Sequence, residues 1–253
     1  MNEAKNGDGP AMAESDDKPT FQTPQNKVSD LPITEIEMGA LEQLFNAYPS
    51  LRESFQEQLT QLFIDSRLIL TRGVSEKDGT GLATTQFAFL GLTHRTHELL
   101  LGCINGVASG NRSAFVACFR GLLETLAASI WVTEKSGRLI SLLDDPGPGV
   151  GQMMNAAYNK IPDLRNDYDR ASCLAHPYMR SLLACVHVQD HSAHTVLVVL
   201  PSPSPSIDEA GSNLRGAVTA VKLIFQTLKE MLDATPSEVG FGRPVAQRLS
   251  NES

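Results

Sequence analysis

Long apolar runs are missing from this 253-residue sequence: no stretch approaches the roughly 18 consecutive apolar residues that span a bilayer. The opening MNEAKNGDGPAMAESDDK lacks both the basic start and the apolar centre of a secretory leader. A cytoplasmic protein that stays off the membrane is therefore the expectation. Cysteine is scarce and never arranged as C-x-x-C, with Cys103, Cys118, Cys173 and Cys185 far apart. They read as free thiols buried as small hydrophobes, with no disulfide or metal role. Positive charge is in deficit as well. The formal charge of −8 excludes a general affinity for nucleic acid or anionic lipid and leaves room only for a local basic patch.

Signature loops are absent too. The Gly-Pro segment at 146–151 is neither G-x-x-x-x-G-K-[ST] nor G-x-G-x-x-G, and no G-x-S-x-G elbow occurs. His94 and His97 stand one helical turn apart with Glu98 beside them, but in neither the H-E-x-x-H nor the H-x-x-E-H order. His187, His191 and His194 crowd a polar centre with no Cys or carboxylate to complete a tetrahedral set. No metal and no other cofactor is expected.

What is present is helical patterning. Residues 1–30 are polar and poor in large apolar side chains, so a disordered tail is expected there, with a second loose tail at 236–253 and one helical domain over 31–235. Thr34 and Glu37 predict a capping box, with Ile33 and Met38 placed as a hydrophobic staple, for a helix running to about Tyr48. After Pro49, Ser50 and Glu53 predict a second box for a helix carrying Leu51, Phe55, Leu59, Leu62 and Phe63, ending near Gly73. Two long apolar helices follow, from about 84 to 108 and from about 112 to 135, and these should be central. The DDPGPGVG turn at 144–151 separates a short helix from two more at about 152–160 and 163–176. The β-branched runs in LLACVHVQDHSAHTVLVVL read as a β-hairpin, closed off by Pro201, Pro203 and Pro205. Ser206 and Glu209 then predict a third box, for a final helix ending near Ala234. The fold class is mainly α: a helical bundle with a small β-hairpin before the last helix.

Two constellations stand out chemically. Arg120 and Glu124 are the only charged residues between Ser113 and Thr133, on a face otherwise built of Ala117, Ala127, Ala128 and Trp131. Arg before Glu is the weaker order for an exposed i,i+4 pair, so a buried or pocket-lining pair is expected, whether structural or part of a site. Tyr168, Ser172 and His176 follow at successive i,i+4 positions, which lines them on one helix face with Ser172 in reach of His176. Pro177 ends that helix, and a histidine at a helix C-terminus gains from the dipole when protonated. Its ordinary pKa near neutrality also suits acid or base chemistry.

Arg170 and His176 enclose five residues. On this spacing the chain, from about residue 84 to 235, resembles the HEPN superfamily, helical bundles whose RNase members carry an Arg and a His separated by about four to six residues. A closer likeness is to HEPN-related bacterial families of unknown function, with an Arg-x-x-x-Glu helix, here Arg120 and Glu124, then Tyr-x-x-x-Ser-x-x-x-His, here Tyr168, Ser172 and His176. The resemblance implies a homodimer that cuts RNA without metal, in a toxin or phage-defence role. In that reading Arg170 stabilises charge on the phosphorane and His176 moves a proton, with Arg120, Glu124, Tyr168 and Ser172 as a supporting polar cluster. On a helix the two catalytic side chains would lie about 120° and about 9 Å apart, so two copies meeting across a twofold axis would be needed to compose a site. The rival expectation is a non-catalytic bundle that binds a partner protein or a small ligand.

Overall fold

Thr34 opens the first helix. Its hydroxyl accepts from the Glu37 amide while the Glu37 carboxylate accepts from the Thr34 amide, and this box starts α1 (Glu35–Ala47). The computed structural model of the chain describes residues 33–74, 84–135, 137–175, 186–190, 195–198 and 205–233. The two expected tails lie outside the described residues, as do His176, Cys185, His191 and His194. Of the expected staple, Ile33 packs against the core, but Met38 is 43% exposed and does not close over it. The capping box alone sets the entry of α1.

Tyr48 leads into a 3-10 turn, Pro49–Leu51, before α2 (Arg52–Val74). Ser50 lies inside this turn and does not cap α2, because Leu51 is drawn into the core just behind it. Helices α3 (Thr84–Ala108) and α4 (Arg112–Thr133) join through a tight turn in which Gly110 takes φ 68° and the Asn111 side chain accepts from the Ala114 amide. Such a short link folds the two back on each other as an αα-hairpin. A one-turn helix α5 (Arg138–Ser141), then α6 (Val150–Lys160) and α7 (Leu164–Ala175), follow α4. Two strands, β1 (Val186–Asp190) and β2 (Thr195–Val198), pair antiparallel with Val186 opposite Val198 and an irregularity between His187 and Asp190. The last helix, α8 (Ile207–Asp233), starts where Ser206 accepts from the Glu209 amide, and the Glu209 carboxylate turns to Arg112.

Helix α4 is the axis of the bundle, packed on α3, α6, α7 and α8. By length and composition it is apolar enough to cross a membrane, contrary to the expectation that no such run exists, and 72% of its most apolar stretch is buried inside the bundle. Leu122, Leu126 and Ala127 are almost wholly buried on it and share one continuous core with Ile104 of α3 and Leu214 and Ile224 of α8. Each large apolar side chain buried in this way contributes about 1.5–3 kcal/mol. An exposed ion pair such as Arg72–Asp233 contributes about 0–1 kcal/mol, so apolar burial decides the architecture. Glycine permits the closest approach: a Cβ on Gly106 would stand 2.7 Å from the Phe115 backbone nitrogen. The Tyr48 hydroxyl donates to the Pro205 carbonyl at 3.2 Å and ties the end of α1 to the start of α8.

The cysteines do not share one environment. Cys103 is buried and Cys118 half-buried, but Cys173 is exposed, because α7 presents Leu164, Tyr168 and Ala171 to the core and turns Cys173 outward. Burial raises the Cys103 thiol well above its ordinary value, with the neighbouring Cys118 adding to the effect.

Candidate functional site

Helix α7 packs against α4, and this contact brings together three of the sequence-predicted residues. The Arg120 Nε donates to Glu124 Oε1 at 3.0 Å, and the Tyr168 hydroxyl donates to the same oxygen at 3.2 Å. The Arg120 guanidinium lies over the Tyr168 ring, 5.6 Å from its centroid, and donates to the phenol oxygen at 3.4 Å. The Arg120 and Glu124 side chains are 26% and 20% exposed, so the pair is neither sealed in the core nor open on the surface. Burial would lower the Arg120 pKa, but the Tyr168 hydroxyl and the Glu124 carboxylate outweigh it and hold the guanidinium above its ordinary value. Nearby on α6, Tyr158 is pushed up by burial first and then by Asp169 and Tyr168, while the Arg165 guanidinium rests over its ring. The cluster is a pinned set of aromatic and charged groups in which the Arg120 guanidinium and the Tyr168 hydroxyl are already engaged.

Ser172 sits one turn beyond Tyr168. Its hydroxyl oxygen is buried and has no hydrogen-bond partner among the described residues. His176, the partner expected for it, lies outside the described residues and directly follows the last residue of α7.

Arg170 is placed differently. It projects from the other side of α7 into a cleft of about 420 Å³ walled by α4, α7 and α8. Phe115 and Phe119 form the apolar wall, their rings stacked with centroids 5.6 Å apart and planes 11° apart. Gly216 lets the wall close: a Cβ there would meet the tip of the Phe119 ring at 3.3 Å. At the rim Arg112 pairs with Glu209, joining α4 to α8. Arg170 and Asp167 are exposed, and neither side chain makes a hydrogen bond or ion pair among the described residues. Volume, apolar wall and a few polar groups on the rim are what a small-ligand site requires.

No family profile, curated protein or solved structure matches this chain.

A third polar cluster was not singled out by the sequence patterns. Glu37 is wholly buried, yet it takes a hydrogen bond and ion pair from Arg67 of α2 and stands 3.4 Å from the His97 Nε2 of α3. His97 also meets the Phe63 ring at 5.4 Å. Burial lowers the His97 pKa, and among its charged neighbours Glu98 opposes this while Arg67 and His94 add to it. Arg67 and the Thr34 amide both engage Glu37 Oε2, whereas Oε1, which faces His97, accepts no hydrogen bond among the described residues, and burial still sets the direction of the His97 shift. The sequence shows Glu37 only as a capping residue, since its other partners lie far along the chain. Among the described residues no group of three His, Cys, Asp or Glu side chains is gathered to hold a metal ion.

Proposed function

We propose that this chain is a HEPN-like helical protein, the two-stranded hairpin before α8 included, that cleaves RNA without metal as a cytoplasmic homodimer. One observation carries the reading: among the described residues Arg170 stands unpaired at the edge of a ligand-sized cleft, while Arg120 is engaged by Glu124 and Tyr168. A guanidinium free of carboxylate partners can take two phosphoryl oxygens at once and meet charge that grows on them in the transition state. In the proposed step the ribose 2′-hydroxyl releases its proton to solvent, and the 2′-oxygen attacks the adjacent phosphorus. The bond to the 5′-oxygen breaks, and that oxygen leaves with the proton that a protonated His176 donates, which His176 then regains from solvent. A 2′,3′-cyclic phosphate and a free 5′-hydroxyl result.

The test is cleavage of single-stranded RNA by purified protein in EDTA, with the ends analysed. His176→Ala and Arg170→Ala should each slow the reaction about 10²-fold while helical circular dichroism persists. Wild-type cleavage no greater than a mock-purified control would end this reading.

The charge balance of the cleft favours a second reading. Arg112 and Arg170 are matched there by Asp167 and Glu209, so no net positive field draws a polyanion. A non-catalytic bundle that takes a small ligand or a partner protein in this cleft fits that balance. It predicts binding without strand cleavage.

A further inference from the structure

We infer that the cleft between α4, α7 and α8 seats one ribonucleotide residue, its base on Phe119, its phosphate at Arg170 and its ribose hydroxyl at Asp167. The inference depends on the RNA-cleaving reading only for the strand to which that residue belongs.

The unpaired groups select this chemistry. Arg170 and Asp167 lie one helical turn apart on the same face of α7, and neither side chain is paired among the described residues. A simple anion would satisfy Arg170 and be repelled by Asp167, and a simple cation would meet the reverse. The ligand that satisfies both carries an anionic group and, a few ångströms away, a hydroxyl that can donate. The third demand comes from α4, where Phe119 offers a half-buried ring backed by Phe115 at stacking distance. A planar heterocycle is the group such a ring accepts, and base stacking on an aromatic side chain is tolerant of base identity. Ser212 and Asn213 complete the rim with neutral donors and acceptors for the base edge. A phosphate, a vicinal hydroxyl and a flat base together make a ribonucleotide. The hydroxyl that Asp167 would accept from is the group that separates RNA from DNA. About 420 Å³ falls within the range that small ligands occupy.

Calorimetric titration of the full wild-type chain with the four ribonucleoside 3′-monophosphates, their 2′-deoxy counterparts and inorganic phosphate tests this, since none of these can be cleaved. Ribonucleotides should bind at least fivefold tighter than deoxynucleotides and at least tenfold tighter than phosphate. Asp167→Leu, which is close in size but accepts no hydrogen bond, should erase the ribose preference, and Ser212→Trp, on the exposed rim, should block the cleft and weaken all ribonucleotides tenfold or more. Equal binding of ribose and deoxyribose forms by the wild type overturns the inference, as does unchanged binding by a Ser212→Trp chain that keeps its helical signal. If Ser212→Trp loses that signal, Asp167→Leu decides alone. The strand source is read with a six-residue RNA and the His176→Ala chain: binding at least tenfold tighter than any monophosphate supports it, and equal binding overturns it. Monophosphate binding without RNA cleavage ends the nuclease reading and leaves the subsite standing. Cleavage untouched by Ser212→Trp does the opposite.

Discussion

The Tyr168 hydroxyl and the Arg120 Nε converge on one oxygen of Glu124, at 3.2 Å and 3.0 Å, and so fasten α7 to α4. A hydrogen bond to a charged acceptor contributes about 1.5–3 kcal/mol when buried, and the partial exposure of Glu124 reduces this. Tyr168→Phe should therefore cost about 1–2 kcal/mol by urea denaturation. A double-mutant cycle with Glu124→Gln should return a coupling of about 1 kcal/mol, against near zero if the contact does not form in solution.

Two glycines of α3 should respond to alanine with opposite signs. Gly106→Ala would drive a methyl to 2.7 Å from the Phe115 backbone, which cannot swing aside, and overpacking of this kind costs about 1–3 kcal/mol. At Gly91 no atom lies within 4 Å of the place a methyl group would take, so Gly91→Ala should gain helix propensity, about 0.5–1 kcal/mol. Thermal melts of the two variants should move in opposite directions, and a fall in both would contradict the open space at Gly91.

Arg67 is the counter-charge of a carboxylate with no access to water. Arg67→Ala should destabilise the fold by about 3–5 kcal/mol, the usual cost of leaving one partner of a buried pair alone. Glu37→Gln in the Arg67→Ala background should recover part of that loss, because the buried charge is then gone. No recovery in chemical denaturation would mean that Arg67 acts through packing alone.

Acid should weaken the fold through His97. Its folded pKa lies below the ordinary value of 6.5, so in the interval between the two values the unfolded chain binds more protons. Stability contributed by the neutral ring is complete above pH 6.5 and is lost as the pH falls through 6.5 toward the lower folded value. The midpoint of urea unfolding measured from pH 7.5 to 5 should drop more in the wild type than in His97→Phe, and parallel curves would remove His97 from the account.

The long helices were legible because their signals are local. A capping box at Thr34, a glycine at 110 and unbroken apolar faces on α3 and α4 do not depend on distant residues. The i,i+4 relation of Arg120 to Glu124 was legible for the same reason. Glu37 was not, because the partners that make it more than a cap, Arg67 and His97, come from two other helices. The cleft was hidden likewise: Phe119, Arg170 and Gly216 become neighbours only when α4, α7 and α8 pack. Cys173 departs from the burial expected of a cysteine because the rotation of α7, which composition does not carry, decides which side of the helix faces the core.

Helix α7 presents Tyr168 to Glu124 and Arg170 to the cleft, from a single rod of twelve residues. Turning that rod to move Arg170 also drags Tyr168 across its acceptor, so the two sides share one mechanical degree of freedom. An occupant that prefers one rotation of α7 then strengthens or loosens the Tyr168 contact by the same free energy with which that contact favours or opposes the occupant. Arg120 and Glu124, which line no part of the cleft, thereby acquire leverage over what enters it.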